Sequence, residues 1–181
     1  MPERYAVPPG NPERPTITPE ASAEAFFART GADIRHGGRR AFYQPSADFV
    51  QLPEVQAFEC AEAYSATKGH ELIHWTGHDG RIARTFGTRF GEADYAFEEL
   101  IAEIGSAFLC ADLGITPVVR PDHAAYLSYW LAVLKADKRA IFTAASHAQR
   151  AVDYLHALAD PAAQNQPTHG CHQGQALPDE C

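Results

Sequence analysis

The chain has 181 residues, enough for one domain with a substantial core, and its 45% hydrophobic and 21% charged residues are ordinary for a soluble globular protein. A formal net charge of −8 argues against a general docking surface for nucleic-acid phosphates, which normally needs a basic face. The four cysteines have neither the spacing of a zinc knuckle nor the density of a disulfide framework, so reduced thiols are expected.

No apolar run in the sequence approaches the length that spans a bilayer. Residues 1–10 also lack the apolar stretch of a secretory signal peptide. We therefore expect a cytoplasmic protein that does not contact a membrane. No pattern in the sequence indicates its oligomeric state.

The two ends of the chain differ in composition from its middle. Residues 1–19 hold six of the 13 prolines and few large apolar side chains, which predicts an extended arm or a linker remnant. Residues 161–181 are rich in Gln, Pro and Gly without an apolar period, which predicts a disordered tail. The tail contains His169-Gly-Cys-His172, which we expect to be solvated because no second ligand cluster accompanies it. One domain, residues 20–160, lies between these ends.

The domain begins with a helix and a hairpin. The helix is predicted to start at Pro19-Glu20 and to stop near Gly31. Two short runs, Ala41–Gln44 and Phe49–Leu52, flank the turn Pro45–Asp48. Short runs of this kind around a Pro/Ser/Asp turn predict a β-hairpin, and they are the only clear strand signal in the sequence.

A long helix should follow from about Glu54 to His74 or Trp75, with Gly77 placed to end it. Residues 77–94 contain four glycines and three arginines and predict a loop with little regular structure. Its arginines favour acidic groups or a C-terminal carboxylate on a substrate.

Three further helices are predicted, over residues 95–113, from Pro121 to Leu134, and from about Lys138 to Ala159. The last of them carries an apolar stripe at helical spacing, which predicts a core face. The stripe consists of Ile141, Ala144, Ala145, Ala148, Val152, Leu155 and Ala159. The predicted fold class is therefore α+β and mostly helical.

The string His70-Glu-Leu-Ile-His74 carries the most chemical information. Residues at i and i+4 share one face of a helix, so both imidazoles can converge on one cation. Zinc held by three protein ligands keeps a fourth position for water and lowers the pKa of that water toward neutrality. Glu71 follows the first histidine and can act as the general base that takes the water's proton. This pattern predicts the site of a metallopeptidase.

A third ligand is expected from the helix over residues 95–113. Glu99 and Glu103 fall together on one side of its helical wheel, near Ser106 and Cys110. We predict that Glu99 binds the metal and that Glu103, one turn along, supports a ligand imidazole by a hydrogen bond. Glu98 is turned about a right angle away and is the poorer choice. The opposite side is apolar and comprises Phe97, Leu100, Ile101, Ile104 and Phe108.

A competing ligand set uses a histidine after the motif. Trp75-Thr76-Gly77 imitates the start of the metzincin string, which would place its third histidine at position 80. That position is Gly80, and His78 comes two residues too early for the required turn. Gly77 is explained as the end of a helix, so Glu99 remains the preferred third ligand.

The combination of residues 70–78 (HELIHWTGH) with residues 95–103 (YAFEELIAE) resembles the metallopeptidase domain of ArdC-like antirestriction proteins. Strings over residues 32–36, 42–43, 111–117, 122–126 and 138–142 also fit, so the resemblance covers about residues 20–160. It implies a zincin-like fold of the gluzincin type, with a small β-hairpin or sheet packed on the active-site helix. It also implies that His70, His74 and a glutamate of the second helix hold the metal. ArdC-like proteins carry an N-terminal domain that binds single-stranded DNA; the chain begins where that domain would end, so no nucleic-acid partner is expected from it.

Other side chains are weaker candidates for a role at the site. His123 and Tyr126 lie at i and i+3 at the start of a predicted helix, where either could stabilise the oxyanion of a tetrahedral intermediate. His36 follows the first helix and could also reach the cleft. The run Phe49–Leu52 could be an edge strand that pairs with an extended substrate.

Two functions of different class are consistent with these patterns, and a third hypothesis, a DNA-binding antirestriction factor, predicts affinity for single-stranded DNA that falls steeply with salt. The leading hypothesis is a zinc-dependent metallopeptidase acting on a peptide or protein, with antirestriction or a mobile element as its context; Mn²⁺ or another transition metal could replace zinc. The alternative is a non-catalytic, metal-stabilised module that binds a protein. The substitution Glu71→Gln separates them, because only the enzyme should lose activity while keeping its metal.

Overall fold

A computed structural model describes residues 16–84, 93–116, 130, 134–135 and 137–160. In this part of the chain, no helix is both long and apolar enough to cross a membrane. The predicted tail, most of the predicted N-terminal arm, and nearly all of the helix predicted from Pro121 to Leu134 lie outside these residues.

The first helix, α1 (Ala21–Arg29), agrees with the prediction and buries Ala23, Phe26 and Phe27. It ends at Thr30, whose hydroxyl donates to the carbonyl of Phe27 at 2.7 Å. Gly31 follows with φ of +73°, a conformation that strongly favours glycine over residues with a side chain. The chain can therefore leave the helix at this point and enter the sheet.

The sheet has three strands: β1 (Ile34–His36), β2 (Phe42–Gln44) and β3 (Phe49–Leu52). The predicted hairpin is confirmed, because β2 pairs with β3 in antiparallel register. Strand β1 was not predicted; it pairs with β3 in parallel, and the strand order is β1-β3-β2. Strand β3 is therefore central, and the prediction that it is an edge strand open to a substrate is wrong.

The inner face of the sheet packs on the helical layer. Tyr43, Val50 and Leu52 are buried on this face, whereas Phe42 and Phe49, on the other face, are half-buried. This alternation is the period of two expected for a sheet with one covered face.

The predicted start of the long helix is wrong. A single 3₁₀ turn spans Val55–Ala57, Phe58 is extended, and helix α2 begins only at Ala61. The extended backbone places the Phe58 ring in the core, fully buried and edge-on to the Tyr64 ring at 5.3 Å. Burial of this aromatic ring stabilises the extended backbone at Phe58, which explains why the helix does not begin near Glu54.

Helix α2 (Ala61–Thr76) is the central element, and every residue from Ala63 to Thr76 is buried. It lies between the sheet on one side and two helices, α3 (Ala93–Asp112) and α4 (Ala140–Ala159), on the other. The predicted stripe of α4 is buried in large part, but Ile141 is 41% exposed and belongs to the surface.

The polar face of α3 is covered by α2. Gly105 lies so close to α2 that a Cβ there would stand 2.9 Å from Ile73 Cδ1. The Ser106 hydroxyl donates to the backbone carbonyl of Ala66 at 2.9 Å. Small side chains at this contact bring the two helices together, so Glu99, on the same side of α3, lies against α2 rather than in solvent.

Candidate metal centre

Two helices bring three predicted ligands together. Helix α2 presents His70 and His74 one turn apart, and α3 supplies Glu99 between them. Glu99 Oε2 lies 3.5 Å from His70 Nε2, and Glu99 Oε1 lies 3.6 Å from His74 Nε2. One ligand atom from each residue lies within 4.8 Å of the other two. Among the described residues, this is the cluster whose donors are arranged to hold a cation.

The donor set fits a divalent transition metal. Two imidazoles and one carboxylate are the ligands of one group of catalytic zinc sites. His74 Nε2 is buried and has no hydrogen-bond partner in the described part of the chain. A buried polar atom without a partner is costly, and a cation bound at this nitrogen would remove that cost.

Glu71 lies beside this cluster on α2 and is only 2% exposed. Its Oε2 atom is buried and, within the described residues, has no hydrogen-bond partner. A carboxylate oxygen that accepts no hydrogen bond is available to accept a proton. Glu71 is therefore a candidate for the general base.

Carboxylates also face Nδ1, the ring nitrogen outside the ligand cluster, of both histidines. Glu103 Oε1 lies 3.5 Å from His70 Nδ1, a distance of an ion pair rather than of a good hydrogen bond. Glu98 Oε1 accepts a hydrogen bond from His74 Nδ1 at 3.1 Å. Such contacts fix the orientation and the tautomer of an imidazole that binds metal through Nε2.

Sequence reasoning missed the role of Glu98. The helical wheel turned Glu98 away from the predicted metal, and the structure places it on the far nitrogen of His74 rather than in the ligand cluster. Its other partner, the guanidinium of Arg84, comes from the loop after α2. No periodicity within α3 could have revealed that contact.

The electrostatics of the cluster favour ionised carboxylates. Burial raises the pKa of Glu99, but the nearby charges of His74 and His70 outweigh burial and hold it well below its ordinary value. Burial likewise raises the pKa of Glu98, which His74 and Arg84 lower. Burial lowers the pKa of His74, whereas Glu99 and Glu98 together raise it to about 9. A pair of ionised carboxylates beside two imidazoles suits a cation.

Two arginines of the loop after α2 bind within the protein. The Arg81 guanidinium pairs with Asp48 of the hairpin turn and stacks on the Trp75 ring, 3.9 Å from its centroid. Arg84 pairs with Glu98. The interpretation of these two arginines as substrate-binding groups is therefore wrong; Arg89, the third, lies outside the described residues.

The weaker candidates that lie within the described residues do not join the cluster. His36 Nε2 lies 2.9 Å from the hydroxyl of Tyr64, at the sheet. His78 Nδ1 accepts a hydrogen bond from the backbone of Gly80 at 3.1 Å, a local contact within the loop. His123 and Tyr126 lie outside the described residues.

The family model of zincin-like metallopeptidases matches residues 21–147, and the chain belongs to this family. It is 48% identical over 159 residues to the uncharacterized protein y4eC of Sinorhizobium fredii, a match that covers 86% of this chain and 52% of y4eC. It is also 42% identical over 163 residues to the DNA primase TraC of Escherichia coli, covering 90% of this chain and 15% of TraC.

Solved structures of the antirestriction protein ArdC from plasmid R388 are similar. The Mn(II)-bound form has a TM-score of 0.73 and 46% identity, over 82% of this chain and 56% of ArdC. The metal-free form has a TM-score of 0.70, over 81% of this chain and 53% of ArdC. The predicted zincin-like fold and the resemblance to ArdC-like proteins are thus confirmed. The chain spans about half the length of y4eC and of ArdC and a much smaller part of TraC.

Proposed function

We propose that this protein is a metal-dependent peptidase that hydrolyses a peptide or protein bond, with His70, His74 and Glu99 holding one zinc ion. The observation that carries the proposal is the convergence of these three buried side chains, whose ligand atoms lie within 4.8 Å of one another. Manganese is the alternative ion, since the similar ArdC structure is described as Mn(II)-bound. Antirestriction, or another role in a mobile element, is the context that the relatives' names support.

Glu71 is assigned the proton transfers. A bound zinc ion would supply Lewis-acid polarisation at the site. The buried carboxylate of Glu71 takes a proton from the attacking water and later delivers it to the leaving nitrogen. Glu98 holds the His74 ring through Nδ1, which leaves Nε2 directed at the ligand cluster. His123 or Tyr126 remains our prediction for the group that stabilises the oxyanion.

Glu71→Gln tests the proposal. The variant removes the proton acceptor but none of the three ligands, so zinc content should stay at one ion per chain while peptide hydrolysis is lost. Zinc content is measured by mass spectrometry of the protein, and hydrolysis by new peptide N-termini in a library of unstructured peptides. Full hydrolysis by the Glu71→Gln variant would refute the assignment of the base.

The alternative is a metal-stabilised module that binds a protein without cleaving it. Burial favours it: the three ligands and Glu71 are each only 2–3% exposed, so a substrate has little direct access to them. On this alternative the wild-type protein and Glu71→Gln both bind zinc, neither produces new N-termini, and both retain the same affinity for a protein partner. Cleavage by the wild-type protein alone would exclude it.

A further inference from the structure

Arg84 is buried in the loop that follows the metal-ligand helix, with 7% of its surface exposed. Its Nη2 atom donates to Glu98 Oε1 at 2.7 Å, and its Nε atom donates to Glu98 Oε2 at 3.0 Å. This is the bidentate pairing of a planar guanidinium with a carboxylate, which fixes both groups in direction as well as in distance.

The same guanidinium holds the end of α2. Arg84 Nη2 also donates to the carbonyl of Ile73 at 2.6 Å, and Nη1 donates to the Thr76 hydroxyl at 2.9 Å. The last carbonyls of a helix lack partners within it, and a cation there is favoured by the helix dipole. Arg84 therefore connects the turn of α2 that carries His74 with the turn of α3 that carries Glu98.

The residue before Arg84 has a strained backbone conformation. Ala83 has φ of +48°, a left-handed conformation that costs about 1 kcal/mol or more for a residue with a side chain. The turn brings the Arg84 amide to the carbonyl of Gly77 at 2.9 Å and so returns the chain to the end of α2. Strain of this kind persists where surrounding contacts enforce it, and the four side-chain hydrogen bonds of Arg84 are such contacts.

We propose that Arg84 is a positioning residue of the metal site: it orients the Glu98 carboxylate so that Glu98 accepts from His74 Nδ1 and keeps His74 Nε2 directed at the metal. The proposal rests on the metal site of the proposed function. Arg84 acts on metal binding through Glu98 and His74 and does not itself contact the ion or the substrate.

The chain offers a matched control. Arg81 is also largely buried in the same loop, also pairs with a carboxylate, that of Asp48, and also donates to a carbonyl at the end of α2, that of Trp75, but it does not bind Glu98. Arg84→Gln and Arg81→Gln each remove one buried charge from the loop. Only the first should disturb His74, so the pair separates a role at the metal from a role in folding.

The experiment measures the zinc dissociation constant of full-length variants by competition with a chelator. Arg84→Gln and Glu98→Gln should each weaken zinc binding about 10- to 100-fold, the usual effect of losing an outer partner of a ligand histidine. The double variant should lose little more than the worse single variant, because both changes break one chain of contacts. Arg81→Gln should lower the melting temperature but leave zinc affinity unchanged.

A second readout follows the His74 Nδ1 proton directly. In the zinc-loaded protein, nuclear magnetic resonance should show this proton protected from exchange with solvent, and Arg84→Gln should speed its exchange. If Arg84→Gln does not fold, Arg84→Lys serves instead: it keeps the charge but loses the bidentate geometry, and should weaken zinc binding about 10-fold.

The possible failures are distinguishable. A wild-type protein that binds no zinc would refute the metal site itself, and with it the proposed function. A wild-type protein that binds zinc, with unchanged affinity in the Arg84 variant, would refute only the role of Arg84. Equal losses in the Arg84 and Arg81 variants would also refute it, since a general effect on the loop would then explain both.

Discussion

Two glycines lie in the contact between α2 and α3, and alanine at each should have effects of opposite sign. A Cβ at Gly69 would meet its nearest neighbours, Leu109 Cδ2 and Ser106 Oγ, at 3.4 and 3.6 Å, which is ordinary contact. A Cβ at Gly105 would stand 2.9 Å from both Cδ1 and Cγ1 of Ile73. Both positions are inside helices, so only the packing differs.

The magnitudes follow from this difference. In a helix interior, alanine is more stable than glycine by about 0.5–1 kcal/mol, and Gly69→Ala should gain that amount. At Gly105 the same gain is opposed by overpacking, which costs about 1–3 kcal/mol in a well-packed core. Gly105→Ala should therefore lose about 1 kcal/mol, or about 2–4 °C in melting temperature for a chain of this size.

Thermal and urea unfolding of the metal-free variants measure these changes, and far-UV circular dichroism verifies that each variant folds. In an Ile73→Val background the cost of Gly105→Ala should shrink, because the contact with Cδ1 is gone. Stabilisation by Gly105→Ala, or equal effects at the two glycines, would show that the helices do not pack as closely as the structure has them.

Three further predictions concern the hairpin, the helix contact and the metal. The hydrogen bond from Arg81, and to a lesser extent that from Tyr43, lowers the pKa of Asp48 below its ordinary value of 3.8, although partial burial raises it. The Arg81–Asp48 pair therefore stabilises the fold above pH 3.8, and this stabilisation is lost as the pH falls through the lowered pKa. Asp48→Asn should cost about 0.5–1 kcal/mol in urea unfolding at neutral pH, and the difference from wild type should vanish in acid. Ser106→Ala should cost about 1 kcal/mol in the same assay, because it removes a buried hydrogen bond from α3 to the Ala66 carbonyl of α2. Zinc at about 100 times its dissociation constant should stabilise the wild-type protein by about 2.7 kcal/mol in calorimetry and should not stabilise Glu99→Ala; equal shifts would contradict the ligand assignment.

Local patterns were sufficient for the hairpin and for the helices that carry the cluster. The spacing of His70 and His74 fixes their common face wherever a helix forms, and the wheel of α3 placed Glu99 and Glu103 on a second common face. These deductions depend on helix geometry alone, which is why they needed no knowledge of the rest of the chain.

Contacts between distant segments were not predictable in the same way. Strand β1 is three residues long, has no alternation, and exists because it pairs with β3, sixteen residues later. The role of Glu98 depends on Arg84, which a strained turn returns to the end of α2. In both cases the local sequence lacks the information, because the partner that decides the outcome lies in another element.

The burial of α2 from Ala63 to Thr76 gives the strongest physical argument for a cation. A polar group taken out of water must find a partner or cost several kcal/mol. Most polar side chains of this helix have one: Lys68 donates to Glu24 at 2.8 Å, and His74 Nδ1 donates to Glu98. The buried atoms of α2 without a hydrogen-bond partner in the described residues belong to His70, Glu71 and His74. His74 Nε2 faces Glu99 in the ligand cluster, where a bound metal would supply the missing partner, whereas His70 Nδ1 is the outer nitrogen and faces Glu103 at 3.5 Å.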